Sequence, residues 1–156
     1  MRIGTGYDIH RLVEARRLVL GGINIPYHKG LLGHSDADVL SHAIADAILG
    51  AAGLPDIGHY FPNTDTEIEG VDSQEILTKV VDEVVKAGYV VVNVDSTIVA
   101  EAPKMGPHIP AMKAKLSDSL GISEQAIGIK ATTHEEVGDI GKGIAIAAHA
   151  ACLLGP

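Results

Sequence analysis

Side chains suited to holding a divalent metal ion occur in two separate stretches of the chain. Asp8 and His10 lie near the start, one residue apart, and His42 lies much further along. One carboxylate and two imidazoles suit zinc or a similar ion and leave one coordination position open, which is typical of catalytic rather than structural zinc sites. The sequence therefore predicts a catalytic metal centre formed by Asp8, His10 and His42.

The elements that carry these ligands must bring them to one place. Residues 1 to 10 have the pattern of a β-strand, in which Asp8 and His10 project from the same face. A helical repeat of apolar residues predicts a helix from Ala37 to about Ala51, which carries His42. A strand therefore supplies two ligands and a helix supplies the third.

The predicted helix presents polar residues along one face. Asp38, His42 and Asp46 follow one another at helical spacing, and Ser35 with Asp38 forms a capping signature at the helix start. Asp46 is the candidate partner that orients the His42 ring, because ligand imidazoles usually donate their second N–H to a carboxylate or carbonyl. The alternative is a solvated acidic face with no ligand role.

Composition limits the class of protein. The chain has 156 residues, of which 46% are hydrophobic, and this fits one catalytic domain over residues 1–156 with a core of its own. A formal net charge of −8 argues against nonspecific binding to nucleic acid or to an anionic membrane. The single Cys152 and the absence of a long apolar run or leader pattern favour the cytoplasm, or a plastid stroma if a leader has been removed.

Strand and helix patterns alternate along the rest of the chain, which predicts an α+β fold. The expected elements are a hairpin of 17–20 and 23–26, a loop over 27–33, a turn-rich functional loop over 53–72, a helix capped by Ser73 and ended by Gly88, a strand over 90–100, a helix over 107–120 and a strand over 127–131.

The last segment, residues 143–154, is almost entirely small and apolar. Its length fits a buried helix or a central strand covered on both faces, and periodicity cannot decide between them. We favour the strand. In a chain this small, such a strand implies that partner subunits cover one face, so the segment predicts a homo-oligomer.

Several motifs occur in order along the chain: GYDIH at 6–10, GGI at 21–23, GLLGHSDAD at 30–38, DIG at 56–58, FPNTD at 61–65, PKM at 103–105 and KATT at 130–133. Together they resemble the 2-C-methyl-D-erythritol 2,4-cyclodiphosphate synthases over the whole chain. The resemblance implies a mixed β-sheet with helices on one face. It also implies a homotrimer, with the sheets around the threefold axis and the active sites between neighbouring subunits.

The resemblance also implies a reaction. Enzymes of this family convert 4-diphosphocytidyl-2-C-methyl-D-erythritol 2-phosphate to the cyclic diphosphate and CMP by intramolecular phosphoryl transfer, in the non-mevalonate isoprenoid pathway. Such an enzyme is a phosphorus–oxygen lyase. By resemblance, Asp8, His10 and His42 hold zinc, and Glu135 binds a magnesium or manganese ion with the diphosphate. From spacing alone, Glu135 reads as an exposed glutamate in a first helical turn.

Further site residues follow from the resemblance by position. The catalytic residues that it implies are His34, Thr133 and Glu135. The substrate-binding residues that it implies are Asp8, His10, His34, Ser35, Asp56, Ile57, Gly58, Asp65, Ala100, Lys104, Met105, Ala131, Thr132, Thr133 and Lys142. Within this set, His34 and Ser35 cover the phosphates, Asp56 and Gly58 hold the methylerythritol hydroxyls, and the residues around Lys104 and Thr132 form the cytidine pocket.

Two other functions remain open at this point. A zinc-dependent phosphohydrolase would use the same three ligands to activate water and would release free phosphate. A trimeric binding module without catalysis would need neither the metal ligands nor Glu135. The products formed from the cytidyl diphosphate substrate distinguish the three functions.

Overall fold

The structure, a computed structural model, describes residues 1–64, 66 and 70–156. The strands are β1 (Arg2–Glu14), β2 (Leu18–Leu20), β3 (Ile23–Ile25), β4 (Lys29–Leu31), β5 (Val90–Val99), β6 (Ile127–Thr132) and β7 (Ala145–Gly155). The α-helices are α1 (Val39–Ala52), α2 (Ile57–Tyr60), α3 (Ser73–Lys86), α4 (Ile109–Leu120) and α5 (Gly138–Gly141), and 3-10 turns lie at Gly106–His108 and Glu124–Ala126. None of the described helices is long and apolar enough to cross a membrane.

Five strands form one mixed sheet in the order β4-β1-β7-β5-β6, and β2 and β3 form a separate hairpin. Strands β5 and β6 run parallel, whereas the other neighbours in the large sheet are antiparallel. The C-terminal segment is strand β7, which pairs with β1 on one side and with β5 on the other. The predicted α+β class and the strand interpretation of this segment are therefore confirmed.

Helix α1 packs unusually close to strand β1 because the facing strand positions are glycines. A Cβ atom built on Gly6 would lie 1.9 Å from the carbonyl oxygen of Ala43, and one built on Gly4 would lie 2.1 Å from that of Ala47. No side chain fits in this space, since real Cβ atoms do not approach oxygen so closely. The close packing places His42, which precedes Ala43 in α1, beside Asp8 in the middle of β1.

The long helices α1, α3 and α4 cover one face of the sheet and enclose the main apolar core with it. The prediction of helices on one face holds for these three. The one-turn helix α5 covers part of the opposite face, where Ile140 packs in a second small cluster with Val99, Ala145 and Ala147. Elsewhere on that face, strand β1 leaves large apolar side chains exposed.

The starts of the first two predicted helices are displaced by one or two residues. Helix α1 begins at Val39 and is capped by Asp38, whose side chain accepts a hydrogen bond from the Ser41 N–H. Ser35 is not the cap, and the helix cannot start at Ala37 because that residue has a φ of 57°. Helix α3 is capped by Asp72, so Ser73 is its first helical residue and its side chain is used elsewhere.

Two segments predicted as loops contain regular structure. Residues 29–31 of the predicted loop form β4, which pairs antiparallel with the end of β1. This strand is only three residues long, and its pairing with β1 gives no local sequence signal. The turn-rich stretch after residue 53 contains α2. Its N-cap is Asp56, whose side chain accepts a hydrogen bond from the His59 N–H.

Candidate active site

The three predicted metal ligands meet at the edge of the interface between β1 and α1. One ligand atom from each of Asp8, His10 and His42 lies within 4.8 Å of the others. The Asp8 Oδ2 atom is 3.2 Å from His10 Nε2 and 3.0 Å from His42 Nδ1. One carboxylate oxygen thus faces two ring nitrogens, a donor set and spacing that fit zinc or a similar divalent ion. The predicted convergence of these side chains is confirmed.

The local electrostatics favour a cation between these groups. Burial by itself raises the pKa of Asp8, but hydrogen bonds with His10 and His42 outweigh it and lower that pKa to about 2. The hydrogen bond with Asp8 raises the pKa of His10, although burial opposes this. Asp8 is therefore anionic at neutral pH, as a metal ligand must be.

The second nitrogen of each ring has its own partner. His10 Nδ1 lies 2.7 Å from the carbonyl oxygen of Leu32, which can only accept, so this nitrogen donates. His42 Nε2 lies 2.8 Å from Ser73 Oγ and 3.3 Å from Ser35 Oγ. These contacts fix the orientation of both rings and direct the remaining nitrogens towards Asp8.

Asp46 does not orient the His42 ring, and this prediction was wrong. Its Oδ1 atom accepts a hydrogen bond of 2.9 Å from the Ile57 N–H and so holds the start of α2. Helical spacing correctly places Asp46 and His42 on one face of α1, but spacing cannot show that the first residue of α2 donates its N–H to Asp46. Burial, as the leading cause, raises the pKa of Asp46.

A cavity of about 390 Å³ opens beside the three ligands. Arg16 fixes one wall, because its Nη2 donates to the carbonyl oxygens of Gly33 and Ser35 at 3.0 and 2.9 Å. The predicted site residues that line this cavity are Asp8, His10, His34, Ser35, His42, Asp56, Ile57 and Gly58.

A second cavity, of about 490 Å³, shares no lining residue with the first. The predicted site residues that line it are Ala100, Lys104, Met105, Ala131, Thr132, Thr133 and Glu135. Lys142 is exposed after α5 and lines neither of these two cavities, and Asp65 lies outside the described residues. Within one chain, the other predicted substrate-binding residues therefore form two separate groups.

Comparison with known proteins identifies the family. A model described as the YgbB family matches residues 1–155. The chain belongs to the YgbB family. A 2-C-methyl-D-erythritol 2,4-cyclodiphosphate synthase of Synechococcus sp. (strain JA-2-3B'a(2-13)) is 59% identical over 99% of this chain and 98% of its own length. The enzyme of the same name from Thiobacillus denitrificans is 54% identical over 99% and 96% of the two chains.

Solved structures agree with this assignment. A CDP-bound 2C-methyl-D-erythritol-2,4-cyclodiphosphate synthase superposes with a TM-score of 0.91 at 37% identity, over 99% of this chain and 100% of that chain. The CDP complex of IspF from Plasmodium falciparum gives a TM-score of 0.86 at 38% identity, over 99% and 96% of the two chains. The family predicted from the sequence motifs is therefore confirmed.

Several residues that support the site in this YgbB-family chain were not predicted. The Glu101 carboxylate accepts hydrogen bonds from the backbone N–H groups of His134 and Glu136, at 2.7 and 3.3 Å. It thereby holds the turn that presents Glu135, whose φ of 51° is unfavourable for a residue with a side chain. Glu101 and Arg16 act on segments far away in sequence, so no local pattern could have indicated them.

Proposed function

We propose that this chain catalyses the cyclisation of 4-diphosphocytidyl-2-C-methyl-D-erythritol 2-phosphate to 2-C-methyl-D-erythritol 2,4-cyclodiphosphate with release of CMP. The observation that carries the proposal is the convergence of Asp8, His10 and His42 beside a cavity, in a chain that is 59% identical to a named synthase over nearly its whole length. One catalytic domain, residues 1–156, carries this activity, and the protein acts in the cytoplasm.

The reaction requires positioning rather than a protein nucleophile. An oxygen of the 2-phosphate attacks the β-phosphorus of the same molecule, and the bond to CMP breaks with its electron pair leaving on the CMP phosphate. The cyclic diphosphate and CMP together contain all the atoms of the substrate, so the reaction consumes no water. A flexible polyanion must therefore be folded back on itself, and most of the rate enhancement comes from holding the two phosphates in line and neutralising their charge.

The first cavity holds the methylerythritol and phosphate portion. Asp56 is suited to accept hydrogen bonds from the sugar hydroxyls, and the open backbone at Gly58 lets them approach. His34 and Ser35 cover the phosphates from the wall that Arg16 fixes. Zinc held by Asp8, His10 and His42 would supply positive charge that orients the phosphates, and magnesium or manganese held by Glu135, which lines the second cavity, would stabilise the leaving group.

The second cavity holds the cytidine portion. Its wall contains the end of β5, the turn around Lys104 and Met105, and the end of β6. Backbone groups there suit the cytosine edge, and the Lys104 ammonium attracts phosphate as a point charge. Thr133 supports the neighbouring turn, since its Oγ1 accepts a hydrogen bond of 3.1 Å from the Glu135 N–H.

The complete site lies between subunits of a homotrimer whose sheets surround the threefold axis. Two observations support this arrangement. The two cavities share no residue within one chain. On the sheet face opposite the long helices, Ile3, Tyr7 and Ile9 are 75%, 50% and 44% exposed, which is apolar surface that a partner subunit would bury.

The proposed trimer can be tested by measuring the mass of the protein in solution. Native mass spectrometry or light scattering is expected to give about 49 kDa, three times the 16.2 kDa of one chain. Replacement of exposed Ile3 and Ile9 by lysine is expected to shift the mass towards one chain, because like charges would meet across the axis. A monomeric wild-type chain with full activity would contradict a site between subunits.

The reaction is tested by incubating the protein with its cytidyl diphosphate substrate, zinc and magnesium, and by following the products with phosphorus NMR. We expect equimolar CMP and cyclic diphosphate, and loss of both products after treatment with EDTA. Free phosphate in place of the cyclic product would instead identify a zinc-dependent phosphohydrolase. Binding of substrate without turnover in the presence of both metals would identify a binding module.

A further inference from the structure

A series of hydrogen bonds connects the metal ligand His42 to the start of α3 and to Asp36. His42 Nε2 lies 2.8 Å from Ser73 Oγ, and the Ser73 hydroxyl in turn contacts Asp36 Oδ1 through a short hydrogen bond. The other oxygen of Asp36 accepts a hydrogen bond of 2.8 Å from the Ser73 N–H. Ser73 is fully buried and Asp36 is partly buried, so the hydroxyl in the middle of these contacts is shielded from water.

The available protons determine which group donates in each of these hydrogen bonds. The Asp36 carboxylate can only accept, so the single hydroxyl proton of Ser73 is donated to it. Ser73 Oγ must then accept from His42, and the ring carries its proton on Nε2. In the neutral ring, His42 Nδ1 consequently keeps its lone pair and directs it towards Asp8 Oδ2, 3.0 Å away.

Two electron-rich atoms at this distance repel one another unless a cation lies between them: either a proton, as in the hydrogen bond that lowers the Asp8 pKa, or a metal ion that replaces it. The same Asp8 oxygen faces His10 Nε2, and in the neutral ring this nitrogen carries the lone pair because Nδ1 donates to the Leu32 carbonyl. Both rings are therefore oriented by acceptors behind them, one by a backbone carbonyl and one by a serine and carboxylate pair. This is the arrangement by which outer groups increase the basicity of metal ligands.

We propose that Ser73 and Asp36 are positioning residues that fix the orientation and tautomer of the His42 ring and thereby set the affinity of the site for a divalent cation. The proposal rests on the metal centre of the proposed function and assigns a role to two residues outside it. It also explains why Ser73 does not cap α3: Asp72 caps the helix, which leaves the Ser73 hydroxyl available for the ring.

Asp36 extends this support to the wall of the first cavity. It lies next to Ser35, and its Oδ1 atom also accepts a hydrogen bond of 3.1 Å from the Asp38 N–H. Its own N–H donates to the Val71 carbonyl oxygen at 3.4 Å. The segment that carries His34 and Ser35 is thus tied to the residues before α3 through the same carboxylate that orients the ligand ring.

The test measures zinc affinity of the full-length protein by competition with a chromophoric chelator. Ser73→Ala is expected to weaken zinc binding about 10- to 100-fold, the range for losing an outer partner of a ligand. Ser96→Ala is the matched control, because Ser96 is also buried and donates one hydrogen bond, to the Gly128 carbonyl, away from the ligands. Ser73→Thr retains a hydroxyl and is expected to recover most of the affinity.

A second measurement reports on the ring itself. Nitrogen-15 NMR of metal-free protein at pH 8 is expected to show His42 protonated on Nε2 in the wild type and a mixture of tautomers in the Ser73→Ala variant. If that variant does not fold, Ser73→Cys replaces it, since a thiol has similar size and donates only weakly. Equal zinc affinities for the Ser73 variant and the Ser96 control would overturn the inference, whereas a wild-type protein that binds no zinc would overturn the metal centre itself.

Discussion

Replacement of Asp8 by asparagine is expected to abolish metal binding and activity while leaving the fold intact. The Asp8 Oδ1 atom accepts a hydrogen bond from the Ile9 N–H, and an asparagine side chain keeps an oxygen for this contact. The oxygen that faces His10 and His42 becomes an amide nitrogen, which donates to the two lone pairs but cannot bind a cation. We expect zinc affinity to fall more than about 100-fold and turnover to fall roughly 10³-fold, equivalent to several kcal/mol.

Thermal unfolding with and without zinc separates loss of the metal from loss of the fold. A bound ion stabilises only the native state, so zinc should raise the Tm of the wild type but not that of the Asp8→Asn variant. The metal-free Tm values should agree within a few degrees.

Asp46→Asn is the matched control. Asp46 lines the same cavity, but its contact is with the Ile57 N–H rather than with an imidazole. Zinc affinity of this control is expected to change by less than about tenfold, since only a longer-range charge is lost. Tight zinc binding by the Asp8→Asn variant would show that the ion binds elsewhere.

Local periodicity was sufficient to predict the positions of the ligands. Alternation along β1 places Asp8 and His10 on the face towards α1, and it leaves Tyr7 and Ile9 on the other face, where they are exposed. The apolar repeat predicts a helix that contains His42, and its predicted start lies two residues from the observed start of α1. These predictions succeeded because each depends only on neighbours within a single element.

Contacts between distant segments could not be predicted in the same way. The sequence favours Ser73 as a helix cap because serine commonly has that role. Only the folded chain shows that Asp72 caps α3 and that Ser73 forms hydrogen bonds with Asp36 and His42. Strand β4 forms because β1 offers it an edge, and no local preference distinguishes its residues from a loop. The motif at 30–38 did contain Asp36, but a motif does not reveal which of its carboxylates reaches a ligand.

Replacement of Gly6 by alanine is expected to destabilise the protein severely and to disturb the metal centre together with the core. The new Cβ atom would lie 1.9 Å from the Ala43 carbonyl oxygen and 2.8 Å from the Ala47 nitrogen, and both are backbone atoms of α1. Relief requires the whole helix to move away from β1. We expect a loss of about 3 kcal/mol or more in the free energy of unfolding, which corresponds to a Tm lower by roughly 6–12 °C.

The same displacement must separate Asp8 from His42, because Gly6 is two residues from the first and Ala43 is adjacent to the second. Zinc affinity of the folded Gly6→Ala fraction should therefore fall, although no ligand has changed. Gly50→Ala is the matched control: its nearest neighbour is the Thr5 oxygen at 3.8 Å, and alanine in a helix is favoured by about 0.5–1 kcal/mol. We expect this control to have an unchanged or higher Tm and normal zinc binding. If both variants behaved alike, the closeness of β1 and α1 would not be what brings the ligands together.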